Sequence, residues 1–168
     1  MSKEDESNKS FVYLESTIPS FLTSKISSQI VTAAKQLTTR EWWEQSRHRY
    51  HLVISQFVWD EVAAGDTEAA RRRCEVIQGL DELEINEEVI ALYEKLLASG
   101  LFPEKSQVDA AHVAVCAVYA IDILLTWNCA HLANADVLPG LRRNLAGWGY
   151  QMPLICTPFE IAGEESQT

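Results

Sequence analysis

Five short runs rich in β-branched, aromatic or leucine residues punctuate the chain: FVYL at 11–14, HLVIS at 51–55, LEI at 83–85, DILLTWN at 122–128 and LICTP at 154–158. Segments compatible with helix separate them. Such alternation restricts a chain to the α/β class, because parallel strands need long crossovers and helices supply them. The expected architecture is a three-layer sandwich, a central, mainly parallel sheet flanked by helices. With 168 residues, 47% hydrophobic and 23% charged, the sequence suits one domain with a sizeable core. We expect that single domain over 11–160, a polar disordered arm over 1–10 and a flexible tail over 161–168.

The helix signals are local. Pro19 can start a helix, and the stretch from Ser20 to Arg47 is helix-compatible with an interruption near Ser27 and Ser28. Ser55 can cap a helix carrying Phe57, Val58, Glu61 and Val62, which Gly65 terminates. Asp66 and Asn86 cap two more, with Gly100 past the end of the second. The segment SQVDAAHVAVCAVYA at 106–120 is nearly apolar after His112, so its helix belongs in the core. A last helical stretch is expected from Pro139 to Trp148.

Composition excludes several classes. No apolar run approaches the roughly 18 residues of a spanning helix, and the start MSKEDESNK lacks a signal peptide's apolar stretch. A cytoplasmic protein with no membrane partner is expected. Cys74, Cys116, Cys129 and Cys156 form no CxxC pair, which favours reduced core thiols. A formal net charge of −10 argues against a general nucleic-acid coat protein. It is compatible with a nuclease, whose acidic site is negative until divalent metal fills it, and with a basic protein partner. No DxDx follows the first strand and no GxGxxG occurs, so the phosphatase and methyltransferase readings lack their signatures.

Four polar residues stand where the pattern predicts apolar or cap residues: Glu15 after the first strand, Glu61 within a helix, Asp109 opening the buried helix and Asn128 after a core strand. In open parallel sheets ligands gather at the carboxyl ends of strands, where Glu15 and Asn128 fall. Asp109 is the most telling, because Val108, Ala110, Ala111 and Val113 surround it and an unpaired carboxylate there is expensive to bury. A helix N-terminus compensates it in part; a metal does so fully.

YLESTIPSFL, ISQFVWDEV, DAAHVAV and DILLTWNCAHLAN, in that order and spacing, resemble a PIN domain, and within it the VapC-like members of the type II toxin family. The likeness runs from Phe11 to about Phe159. It implies an endoribonuclease dependent on Mg²⁺ or Mn²⁺, the toxin of a toxin–antitoxin pair, with RNA as substrate, a cognate antitoxin as partner and a homodimer as assembly. Carried over by position, the catalytic residues are Glu15, Glu61, Asp109 and Asn128, with Glu15, Asp109 and Glu61 as metal ligands. Thr17 matches a hydroxyl two residues after the first acid. Two positions depart from the family pattern: Glu15 stands where Asp is the rule, and Asn128 where an acid is. The second departure keeps an alternative open, a catalytically weakened PIN-fold binding or scaffold protein.

Phosphodiester hydrolysis needs a nucleophilic water and a neutralised leaving oxygen, and carboxylates suit it because Mg²⁺ prefers oxygen ligands. Thr17 would donate to a phosphate or a ligand oxygen. His131 either orients substrate or closes a helix end; His112 reads as a buried, hydrogen-bonded histidine or a catalytic one. Asp122, at the opposite end of its strand, reads as a turn or cap residue. The Arg71–Arg73 triplet reads as a solvated helix face. The adjacent Trp42 and Trp43 diverge by about a hundred degrees on a helix, which favours one of them meeting a partner chain.

Overall fold

The structure, a computed structural model, describes residues 9–161. Strands β1 (Phe11–Leu14), β2 (His51–Ser55), β3 (Asp81–Leu83), β4 (Ile123–Leu125) and β5 (Leu154–Cys156) form one sheet in the order β3-β2-β1-β4-β5, and every pairing is parallel. Helices α1 (Thr17–Thr23), α2 (Ile30–Gln45), α3 (Gln56–Val62), α4 (Thr67–Ile77), α5 (Glu87–Ala98), α6 (Gln107–Val118), α7 (Leu138–Gly147) and α8 (Pro158–Ile161) connect and cover the strands. The strand order reverses between β1 and β4. That switch point is where connections on either side leave the sheet in opposite directions and open a crevice at the strands' carboxyl ends.

Buried on both faces, the central strands read as apolar runs: Val12, Tyr13, Leu14, Leu124 and Leu125 are wholly inaccessible. Helix α6 lies against them with Ala110 through Cys116 buried, as its unbroken apolar sequence requires. Asp66 and Asn86 cap α4 and α5, accepting from the Ala69 and Val89 amides at 2.9 and 3.0 Å. Gly65 and Gly100 take positive φ beyond helix ends, as expected of glycines placed there. Asp122 accepts from the Phe11 amide at 2.8 Å and pins the amino end of the sheet, a structural role. The four cysteines are unpaired, with Cys116 and Cys156 buried.

Several expectations need correction. The third strand is Asp81–Leu83, two residues before LEI, because backbone pairing to Val53, Ile54 and Ser55 holds an edge whose first two side chains are exposed acids. The fourth and fifth strands are shorter than the runs DILLTWN and LICTP, since Thr126–Asn128 turn into the crevice and Pro158 starts α8. Ser55 precedes α3 but makes no side-chain cap; its hydroxyl bonds Tyr13 instead. Trp42 is fully buried in the chain's own core, packed near Tyr50 and Trp43, while Trp43 lies half-buried with the Arg47 guanidinium 4.4 Å over its ring. Trp42 is thus accommodated within the chain's own core. Of the expected arm, residues 1–8 lie outside the described residues, as do 162–168 of the expected tail. Ser10 already accepts from the His51 amide at 3.0 Å, so order reaches back into the expected arm.

Candidate metal centre at the sheet switch point

Glu15 leaves β1 at the switch point, and its backbone still belongs to the sheet, the amide donating to Leu125 at 3.1 Å. Its carboxylate is buried, and the surrounding loops supply four donors. Ser16 Oγ reaches Oε1 at 2.8 Å; Thr126 Oγ1 reaches Oε2 at 2.7 Å; the Thr17 amide and hydroxyl also reach Oε2. Thr17 Oγ1 in turn accepts from the Trp127 amide at 2.8 Å, so its single proton is directed at Glu15. Thr126 Oγ1 likewise accepts from the Asn128 amide at 2.9 Å. The two loops after β1 and β4 are therefore tied together through this one carboxylate. Such a coat of donors fixes the orientation of the buried carboxylate.

Asp109, in the first turn of α6, faces the same crevice. Burial first, and then the charge of Glu15, push its carboxyl up to about 6, against the opposing pull of His112, His131 and the Asn128 hydrogen bond. Asn128 donates Nδ2–H to Asp109 Oδ1 at 2.8 Å. Its amide orientation is settled by the His131 backbone N–H, which gives Oδ1 a donor at 3.1 Å. Asn128 thus presents nitrogen, not oxygen, to the acid.

One turn after Asp109, His112 is wholly buried. Its Nε2 lies 2.7 Å from Glu61 Oε2 and its Nδ1 lies 2.8 Å from Tyr13 Oη, which is 2.6 Å from Ser55 Oγ. Burial opposes a charge on His112, but the bond to Glu61 and the charges of Glu61, Glu15 and Asp109 outweigh it and raise its pKa. Burial holds the Tyr13 phenol well above its ordinary value, so it stays protonated.

The sequence reading placed Glu15, Glu61 and Asp109 at one centre, and the folded chain brings them to one crevice. Ligand atoms of Glu15, Glu61 and His112 all lie within 4.8 Å of one another. Opposite ligands of an octahedral cation stand roughly 4.2 Å apart, so this group could hold a metal ion. Asp109 borders the group, Asn128 holds Asp109, and Thr17 braces Glu15. His131 holds Asn128 through its backbone. Sequence reasoning missed Tyr13, Ser16, Ser55 and Thr126. A hydroxyl pair directly after Glu15 and a threonine two residues before Asn128 were visible signals; Tyr13 and Ser55 were not, being ordinary strand residues whose meeting depends on register.

No family model matches the sequence, and no curated protein does. Solved structures do share the fold. A chain of VapBC2 from Rickettsia felis, solved bound to a DNA fragment from their promoter, is similar over 88% of this chain and 98% of its own, with a TM-score of 0.54 and 12% identity. A chain of VapBC-1 from nontypeable Haemophilus influenzae is similar over 89% and 98%, with a TM-score of 0.51 and 15% identity. The five-stranded parallel sheet with helices on both faces is the architecture held in common.

Proposed function

We propose, from the premise that the chain carries a VapC-like PIN-domain fold, that it is a metal-dependent endoribonuclease, the toxin of a type II toxin–antitoxin pair. The observation that carries the reading is the meeting of Glu15, Glu61 and His112 ligand atoms within 4.8 Å, with Asp109 beside them, at the switch point of the sheet. Glu15, Asp109 and Glu61 hold Mg²⁺ or Mn²⁺. Bound there, such an ion acidifies water and offsets phosphate charge in the transition state.

The chain's own groups do the rest. Glu61 orients the attacking water and accepts its proton, steadied by His112 behind it. Asn128 sets the position of Asp109, Thr17 keeps the Glu15 carboxylate in place, and His131, partly exposed on the loop after β4, faces the incoming RNA. The protein acts in the cytoplasm, as a homodimer and with a cognate antitoxin as partner. Among the described residues no helix is long and apolar enough to cross a membrane.

Purified protein incubated with RNA should cleave it with Mn²⁺ or Mg²⁺ and stop when the cation is chelated. Asp109→Asn should lose at least about a hundredfold of that rate, the scale of one charge-stabilising group. Full cleavage by this variant would remove Asp109 from the site. The alternative, a PIN-fold binding protein without turnover, draws on Asn128 already satisfying Asp109 with an N–H. It would prevail if the wild-type chain bound a partner tightly and cut no RNA with either cation.

A further inference from the structure

Resting on the metal-site reading above, we infer that the cation seat is a mixed nitrogen–oxygen one, in which Nε2 of His112 joins Glu15 and Glu61 with Asp109 beside them, and that it takes Mn²⁺ in preference to Mg²⁺. Three features carry this. First, the group of mutually close ligand atoms includes the imidazole and two carboxylates. Second, His112 is completely buried on α6, so its ring has no access to solvent and its Nε2 has one direction to face, toward Glu61. Third, the ring is held from behind as ligand histidines are. Nδ1 lies 2.8 Å from Tyr13 Oη, and Tyr13 has Ser55 Oγ at 2.6 Å to receive its own proton. With Nδ1–H donated to Tyr13 and Tyr13 donating to Ser55, each proton behind the ring has an acceptor, and Nε2 is left to face Glu61.

Nε2 and Glu61 Oε2, now 2.7 Å apart, would both be ligands of a bound ion in place of the hydrogen bond they share. Mg²⁺ is a hard ion that retains waters and oxygen ligands, whereas first-row transition ions accept imidazole readily. Asn128 strengthens the case from the other side. Its amide turns nitrogen toward Asp109, so the loop after β4 adds no oxygen there. His112 supplies the ligand that this loop does not.

The test is pulsed electron paramagnetic resonance on Mn²⁺ bound to the full chain, alongside calorimetric titration with Mn²⁺ and with Mg²⁺. The wild-type protein should show nuclear modulation from a directly bound ¹⁴N, and His131→Gln should retain it. His112→Gln should abolish it and weaken Mn²⁺ binding roughly tenfold or more, with a smaller effect on Mg²⁺; Tyr13→Phe should weaken Mn²⁺ within the roughly 10–100-fold range of orienting partners. Bound Mn²⁺ without nitrogen modulation, modulation lost in His131→Gln, or no Mn²⁺ binding at all would each overturn the inference. The wild-type and His131→Gln spectra decide the matter even if His112→Gln does not fold. RNA cleavage with an all-oxygen Mn²⁺ site would sink this inference alone, and a nitrogen-ligated Mn²⁺ site without RNA cleavage would sink the nuclease reading alone.

Discussion

Asn128 shows how one atom changes the character of the site. Its side chain is pinned at both ends, Oδ1 by the His131 amide and Nδ2 by Asp109, so it offers a proton where a carboxylate would offer charge. Asn128→Asp should therefore place two carboxylates in hydrogen-bond contact. Without divalent cation this should destabilise the fold by about 1–3 kcal/mol near pH 8, the cost of losing a buried group's partner. Near pH 5 the penalty should shrink, because one of two close carboxyls then keeps its proton and donates to the other. Denaturant unfolding at both pH values checks this, and an equal penalty at each would mean the two groups are not coupled. Added Mn²⁺ should recover more stability in the variant than in the wild type, since the extra charge is a further cation ligand.

At the scale of elements, local chemistry and long-range contact divide the work. Asn86 accepts from the Val89 amide at 3.0 Å and begins α5, whose Val89, Leu92 and Leu96 are buried. Asn86→Ala should cost about 1 kcal/mol of unfolding free energy, read from denaturant curves, and leave cation binding unchanged. A loss within error would show that packing alone fixes this helix start. Signals of this kind are why so much was legible: caps at Asp66 and Asn86, glycines past helix ends, and apolar runs at β1, β2 and β4 are properties of adjacent residues. What was misplaced lacks a local cause. Asp81 and Glu82 look like loop residues and become β3 only because β2 offers them backbone partners. Trp42 and Trp43 diverge as the helix geometry requires, yet α2 lies so that one enters the core and the other rests under Arg47. The candidate site follows the same division. Glu15, Asp109 and Asn128 break a local pattern and so announce themselves; the relay from Ser55 through Tyr13 to His112 joins residues 42 and 99 positions apart and announces nothing.

Over the whole molecule, the buried titratable groups and the net charge act in one direction. A carboxyl whose pKa rises on folding stabilises the fold where it is protonated. For Asp109 that contribution is complete below its ordinary 3.8 and is lost as pH rises through about 6. His112, also raised, contributes fully below its ordinary 6.5 and loses that contribution as pH climbs through its higher folded value. The formal charge of −10 adds a general self-repulsion that weakens as acids take up protons. Scanning calorimetry in the presence of a chelator should accordingly give a higher Tm near pH 6 than near pH 8, by several degrees, and Asp109→Asn should narrow the difference. Saturating Mn²⁺ should invert the contrast in what it adds. Protons compete with the ion for Asp109 and His112, so the cation-induced rise in Tm should be larger near pH 8 than near pH 6. An equal rise at both values would mean that the ion binds without displacing protons, and that these two residues are not where it sits.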